Sequence, residues 1–136
     1  MCIRDSFSSY KVINKINKYV YKTKNFNKKK VVFCVPGTLI HFFKKKIKSN
    51  TISLGAQNCH QSESFGAFTG SLNASMLKKA GAEYIILGHS ENRLEGESNR
   101  LIKEKIFSAL KQKLTVIFCI GETYTCLLYT SDAADE

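Results

Sequence analysis

An apolar run, Tyr84-Ile85-Ile86-Leu87, breaks off at Gly88-His89-Ser90-Glu91. The run reads as a buried strand that delivers a histidine, a hydroxyl and a carboxylate to its carboxyl end. Two more runs end in the same way: Ile52 to Ala56 leads into Gln57-Asn58-Cys59, and Val116 to Ile120 into Gly121-Glu122-Thr123. In a parallel α/β protein the carboxyl edge of the sheet is where ligands bind. Three strands bringing polar groups to one edge point to a site assembled from several loops.

Helical patterns alternate with these strands. Residues 9–23 read as an amphipathic helix, and Val31 to Val35 as a strand closed by Pro36-Gly37. Pro36 has no donor for a ladder and Gly37 permits a sharp turn. Thr38 is placed to cap a helix carrying Leu39, Ile40, Phe42, Phe43 and Ile47. A long loop over residues 58–71 precedes a short helix capped by Asn73, with Met76, Leu77 and Ala80 inward and Gly81 as a left-handed stop. A helix over residues 97–112 buries Leu101, Ile102, Ile106, Ala109 and Leu110, and a last strand covers residues 115–119. The strands are continuous apolar runs, as in parallel sheets covered on both faces. Right-handed crossovers put all their carboxyl ends on one edge. Periodicity alone fits an open sheet as well as a barrel.

The chain carries a net charge of +10, with lysine the dominant cation, notably in Lys28-Lys29-Lys30 and Lys44-Lys45-Lys46. A nucleic-acid or anionic-membrane patch is one reading. The spacing of Val12, Ile13, Ile16, Tyr19 and Val20 favours the other, because it leaves Lys11, Lys15, Lys18 and Lys22 for the wet face of a helix. No zinc-finger, RNA-recognition or KH signature is present. Cys34, Cys59 and Cys119 show no CxxC spacing, which suits reduced thiols in a cytoplasmic protein. His41, His60 and His89 share no ligand spacing with them, so no metal site is implied. No apolar stretch reaches the roughly 18 residues of a membrane span.

Five segments occur in the order, and close to the spacing, of one family. Leu54-Gly55-Ala56-Gln57-Asn58-Cys59, Gly66-Ala67-Phe68-Thr69-Gly70, Met76-Leu77-Lys78, Leu87-Gly88-His89-Ser90-Glu91 and Cys119-Ile120-Gly121-Glu122-Thr123 resemble triosephosphate isomerase. The resemblance covers about residues 10–123. It implies an α/β fold, a partial (β/α)8 barrel of four parallel strands matching the family's second to fifth. It also implies cofactor-free interconversion of dihydroxyacetone phosphate and D-glyceraldehyde 3-phosphate through an enediolate, in a cytoplasmic homodimer. His89 takes the place of the catalytic electrophile and Glu91 that of a supporting carboxylate. Gln57 and Asn58 fall near site and interface, and Phe68, Thr69 and Gly70 on the loop that enters the partner subunit. Cys119 matches a structural cysteine beside the catalytic base, and Glu122 a residue supporting the loops. Residues 92–97 are one position shorter than the commonest family version but keep Arg93 and Glu97. The family's substrate-binding Asn and Lys, its glutamate base and its phosphate loops fall on strands outside this segment.

The two ends resemble something else. Met1-Cys2-Ile3-Arg4-Asp5 can be encoded by ATGTGTATAAGAGAC, whose reverse complement, preceded by one T, reads Cys-Leu-Leu-Tyr-Thr and begins Ser, as in Cys126 to Ser131. One short inverted repeat, similar to a transposase-type sequencing adapter, can thus encode both ends; a genuine terminus of mixed polarity is the alternative. Residues 1–6 and 126–136 are read as non-native, leaving residues 7–125 as the partial barrel. Two competing readings stand beside an isomerase fragment. One is a basic α/β module binding nucleic acid or phosphate-rich ligands. The other is an aggregating polypeptide with open sheet edges.

Overall fold

The computed structural model describes residues 6–22, 30–47 and 52–121. Within them the order is α1 (Ser6–Lys22), β1 (Val31–Val35), α2 (Gly37–Lys46), β2 (Ile52–Ala56), α3 (Ala74–Ala80), β3 (Tyr84–Leu87), α4 (Ser90–Leu94), α5 (Asn99–Lys111) and β4 (Thr115–Phe118). The four strands form one parallel sheet in the order β1-β2-β3-β4. Consecutive strands are therefore neighbours, joined by crossovers, which is the connectivity of a (β/α)8 barrel. Of residues 25–30, which the sequence reads as a polar loop, all but Lys30 lie outside the described residues, as do Glu122 and nearly all of residues 1–6 and 126–136.

Register explains where the core sits. Phe33, Leu54, Ile85 and Val116 share a face with Val35, Ala56 and Leu87, and all join one apolar cluster. Ile13 of α1, Ile40 and Phe43 of α2, Ala74 and Leu77 of α3, and Ala109 of α5 complete it. The alternate residues, among them Val32, Cys34, Ile86 and Ile117, stay out of the cluster. The sheet is thus covered on one face, not on both as continuous apolar strands suggest. In a barrel the second face is the interior, and it too calls for apolar residues. The apolar run signals two dry faces in the closed fold; here Ser53 and Gly55 of β2 are buried on the second face too, while Val32, Cys34, Ile86 and Ile117 there are only partly buried or exposed.

Helix ends follow local chemistry. Asn73 Oδ1 accepts the Met76 N–H at 2.9 Å, and Gly81 at φ 112° closes α3 in the left-handed region. Thr38 does not cap α2: the helix starts a residue earlier, at Gly37, with Pro36 in the cap position at φ −52°. Pro36 itself is extended at ψ 142° and has no side-chain cap bond; its carbonyl accepts the Leu39 N–H at 2.8 Å and so closes the first turn. Met76 and Leu110, expected inside, are 38% and 53% exposed. The buried stripes are narrower and run through Leu77 and through Ile102, Lys105 and Ala109.

Part of the lysine excess has partners. Lys44 bonds Glu83 at 3.1 Å, and Ser53 Oγ donates to the other Glu83 oxygen at 2.7 Å. Partial burial alone would raise the Glu83 pKa. The Ser53 and Lys44 bonds, with the charges of Lys44 and Lys30, outweigh it and hold the carboxyl below its usual value. A lowered carboxylate pKa adds stability that is present above the unfolded value and is lost as pH falls through the folded one. Glu83→Gln is therefore expected to flatten the acid limb of stability below about pH 4.3, the unfolded value for glutamate, in a pH series of urea melts. At neutral pH the loss stays within about 1 kcal/mol, because the pair is half exposed.

Candidate active site at the carboxyl edge of the sheet

His89 lies two residues beyond the end of β3, after Gly88, and stands at the cap position of α4. Gly88, at φ 75°, makes the turn that ends the strand. A Cβ there would lie 3.0 Å from Arg93 Nη2, 3.0 Å from Phe118 and 3.1 Å from the Cys119 carbonyl oxygen. The Arg93 guanidinium holds the turn from outside. Its Nε donates to the Gly88 carbonyl at 2.7 Å, Nη2 to the Cys119 carbonyl at 3.4 Å, and Nη1 to Asn99 Oδ1 at 2.7 Å. One side chain thereby ties the end of β3, the segment after β4 and the start of α5. Gly88→Ala combines left-handed strain with a blocked neighbour space. It is expected to cost about 1–3 kcal/mol in a urea melt and to displace His89.

From the cap position the His89 ring turns back on α4. Its Nδ1 accepts the Glu91 N–H at 3.3 Å. A ring nitrogen that accepts carries no proton, so a neutral His89 keeps its proton on Nε2. Nδ1 thereby satisfies one of the donors that a helix start leaves unpaired.

His89 lines a cleft of about 360 Å³ with Gln57 and Asn58 from the end of β2, Ile86 of β3, and Glu91, Asn92 and Glu95. Four sequence-predicted residues, His89, Glu91, Gln57 and Asn58, therefore meet in one concavity. Gln57 Nε2 donates to the Cys34 carbonyl at 3.3 Å, joining the ends of β1 and β2. Asn58 Oδ1 accepts the Cys59 N–H at 2.8 Å and Lys105 Nζ at 3.1 Å. Lys105 also makes a very short bond to Glu97, and both side chains are buried. The cleft wall thus rests on an ion pair inside the protein. Burial pushes the nearby Cys59 thiol up to about 11, with the Lys105 charge working against it and Glu97 with it. Cys59 therefore stays a thiol at neutral pH and supplies no nucleophile.

Phe68, Thr69 and Gly70 lie apart from the cleft on the loop following β2, all exposed. Phe68 packs on His60 at 4.4 Å between ring centroids, and Asn73 Nδ2 donates to the Ser64 carbonyl at 3.3 Å. The loop is braced at its base and presents Phe65, 65% exposed, and Phe68, 46% exposed, to solvent.

The Arg93 strap and the Lys105–Glu97–Asn58 bonds were not assigned from sequence. A lysine on the stripe of Ile102 and Ala109 is a readable warning of a buried cation, but its partner eight residues upstream is not. Among the described residues no group of His, Cys, Asp and Glu is arranged to hold a metal ion.

Sequential parallel strands, crossover helices and a polar cleft at the carboxyl edge define one half of a (β/α)8 barrel. The family model for triosephosphate isomerase matches residues 3–127. The chain is 47% identical over 94 residues to triosephosphate isomerase of Alkaliphilus metalliredigens, covering 68% of this chain and 38% of that protein. It is 39% identical over 108 residues to that of Aquifex aeolicus, covering 79% and 43%. A crystal structure of triosephosphate isomerase from Bartonella henselae superposes with a TM-score of 0.77 at 30% identity, over 98% of this chain and 52% of that one. The chain belongs to the triosephosphate isomerase family. It spans about two fifths of the length of the curated relatives it matches.

Proposed function

We propose that the protein to which this segment belongs is a cytoplasmic triosephosphate isomerase. It interconverts dihydroxyacetone phosphate and D-glyceraldehyde 3-phosphate, with His89 as the electrophile. The observation that carries this reading is the His89 ring in its cleft, accepting at Nδ1 and so left with Nε2–H as its donor. A carboxylate base takes a proton from the carbon next to the carbonyl, and negative charge develops on the carbonyl oxygen. The Nε2–H bond to that oxygen strengthens as the charge grows, which is transition-state stabilisation by a fixed donor. The proton then returns to the former carbonyl carbon, and the hydroxyl proton passes to the former carbonyl oxygen, so that the new carbonyl stands on the carbon first deprotonated. Triosephosphate isomerase is itself the established example of a neutral histidine in this role.

Glu91 supports the site through α4, and Gln57 and Asn58 shape its opposite wall. The base is the family's glutamate, on a strand beyond the five matching segments. Phe68, Thr69 and Gly70, on a braced loop with exposed aromatics, form the contact with a second subunit of the whole enzyme.

The test is a coupled assay of the product of the complete gene and of the 136-residue polypeptide alone. The complete product is expected to isomerise triose phosphates without added metal or cofactor. The polypeptide alone is expected to show no turnover above buffer, since it lacks a residue matching the glutamate. An inactive complete product, correctly folded, contradicts the assignment.

A further inference from the structure

A fixed donor at His89 Nε2 needs a fixed backbone beneath it. The ring's own tether, the Nδ1 bond to the Glu91 N–H, is long at 3.3 Å. The sheet holds the chain only as far as the Leu87 carbonyl, which accepts the Cys119 N–H at 2.9 Å. Gly88 follows at φ 75°, out of strand conformation.

Arg93 carries the connection one residue further. Its Nε and Nη2 share one edge of the planar guanidinium fork. They donate across the two strand ends, to the Gly88 carbonyl at 2.7 Å and the Cys119 carbonyl at 3.4 Å. The Arg93 backbone N–H donates to the His89 carbonyl at 3.1 Å. The Gly88 carbonyl belongs to the peptide unit before His89, and the His89 carbonyl to the one after it. One residue therefore holds both peptide planes that set the His89 backbone, at φ −59° and ψ 144°. Glycine at 88 lets the fork approach, because a Cβ there would lie 3.0 Å from Arg93 Nη2.

We propose that Arg93 is a positioning residue for the proton transfer: it sets where His89 Nε2 meets the substrate's carbonyl oxygen without touching substrate itself. The proposal rests on the isomerase reading above. Nε2 stands at the far end of the side chain, so a small rotation of either peptide plane is magnified there. A misplacement of about 1 Å costs about 10²-fold in rate. Lysine does not substitute, since its ammonium is a point charge without the fork that spans two carbonyls.

The variants are made in the complete gene product. Arg93→Lys is expected to lower kcat by about 10- to 100-fold with KM little changed, because the lost alignment acts in the transition state. Asn99→Ala removes only the Nη1 bond to the start of α5 and should keep kcat. In enzyme carrying 15N-labelled histidine, wild-type His89 should show a bare Nδ1 and a protonated Nε2, and Arg93→Lys a mixture of the two tautomers. If Arg93→Lys does not fold, Arg93→Gln is measured in its place. Full turnover in the folded variant, an equal drop in Asn99→Ala, an unchanged His89 tautomer, or loss of folding in both Arg93 variants overturns the proposal. A wild type without isomerase activity contradicts the isomerase reading and this proposal together, whereas an active wild type matched by Arg93→Lys overturns the proposal alone.

Discussion

Lys105→Met is expected to destabilise the fold by about 3–5 kcal/mol, the usual cost of removing one partner of a buried ion pair. Lys105 and Glu97 are 9% and 4% exposed, so neither charge can turn to water in place. Glu97 Oε2 already has no hydrogen-bond partner among the described residues. Without Lys105 the whole carboxylate is left uncompensated, and Asn58 loses its bond to α5. The effect therefore reaches the cleft as well as the core. The double variant Lys105→Met, Glu97→Leu should recover much of the loss, because the penalty lies in the stranded charge rather than in the pair's own attraction. Urea midpoints of the parent and both variants measure this. A loss below about 1 kcal/mol, the range of an exposed pair, would show that Lys105 reaches water.

The strands and the carboxyl-edge placement of His89, Glu91, Gln57 and Asn58 were legible in the sequence pattern, while the order of the strands followed only from the family resemblance. Each strand is a short β-branched or aliphatic run with a sharp end, and parallel crossovers fix which edge its polar residues reach. Asn73 and Gly81 were legible as helix ends, since a side-chain cap and a positive φ are local demands. Helix phase was less so. Met76 and Leu110 sit one position off the buried stripe, and hydrophobic spacing does not separate the rim of a stripe from its centre. Thr38 looked like a cap because threonine caps well, yet Pro36 had already set the first turn. The one-sided helix layer was hidden because apolar strands describe the closed barrel, while here only β2 is buried on the face away from the helices. Arg93 and the Lys105–Glu97–Asn58 bonds were out of reach for another reason. Their partners come from different elements, and pattern in one element carries no information about the far end of a long side chain. The roles of Thr69 and Gly70 rest on resemblance, as the loop's own geometry shows only that its base is braced and its tip exposed.

The site account turns on His89, and the second large effect is expected there. In the complete enzyme His89→Gln keeps a polar side chain of similar reach. It replaces the ring whose Nδ1 takes the Glu91 amide and whose Nε2, in the proposed reaction, donates to the developing oxyanion. Loss of one fixed oxyanion donor typically costs about 10²–10³ in kcat. Little change is expected in KM, because the bond matters most in the transition state. Folding should be unaffected, since His89 is outside the apolar cluster and a glutamine oxygen can still accept from the α4 turn. Steady-state kinetics of wild type and His89→Gln, with melting curves run in parallel, test the central claim most directly. The account predicts a kcat reduced about a hundredfold or more at an unchanged melting temperature. Equal turnover in a folded variant would remove His89 from the chemistry and contradict the account.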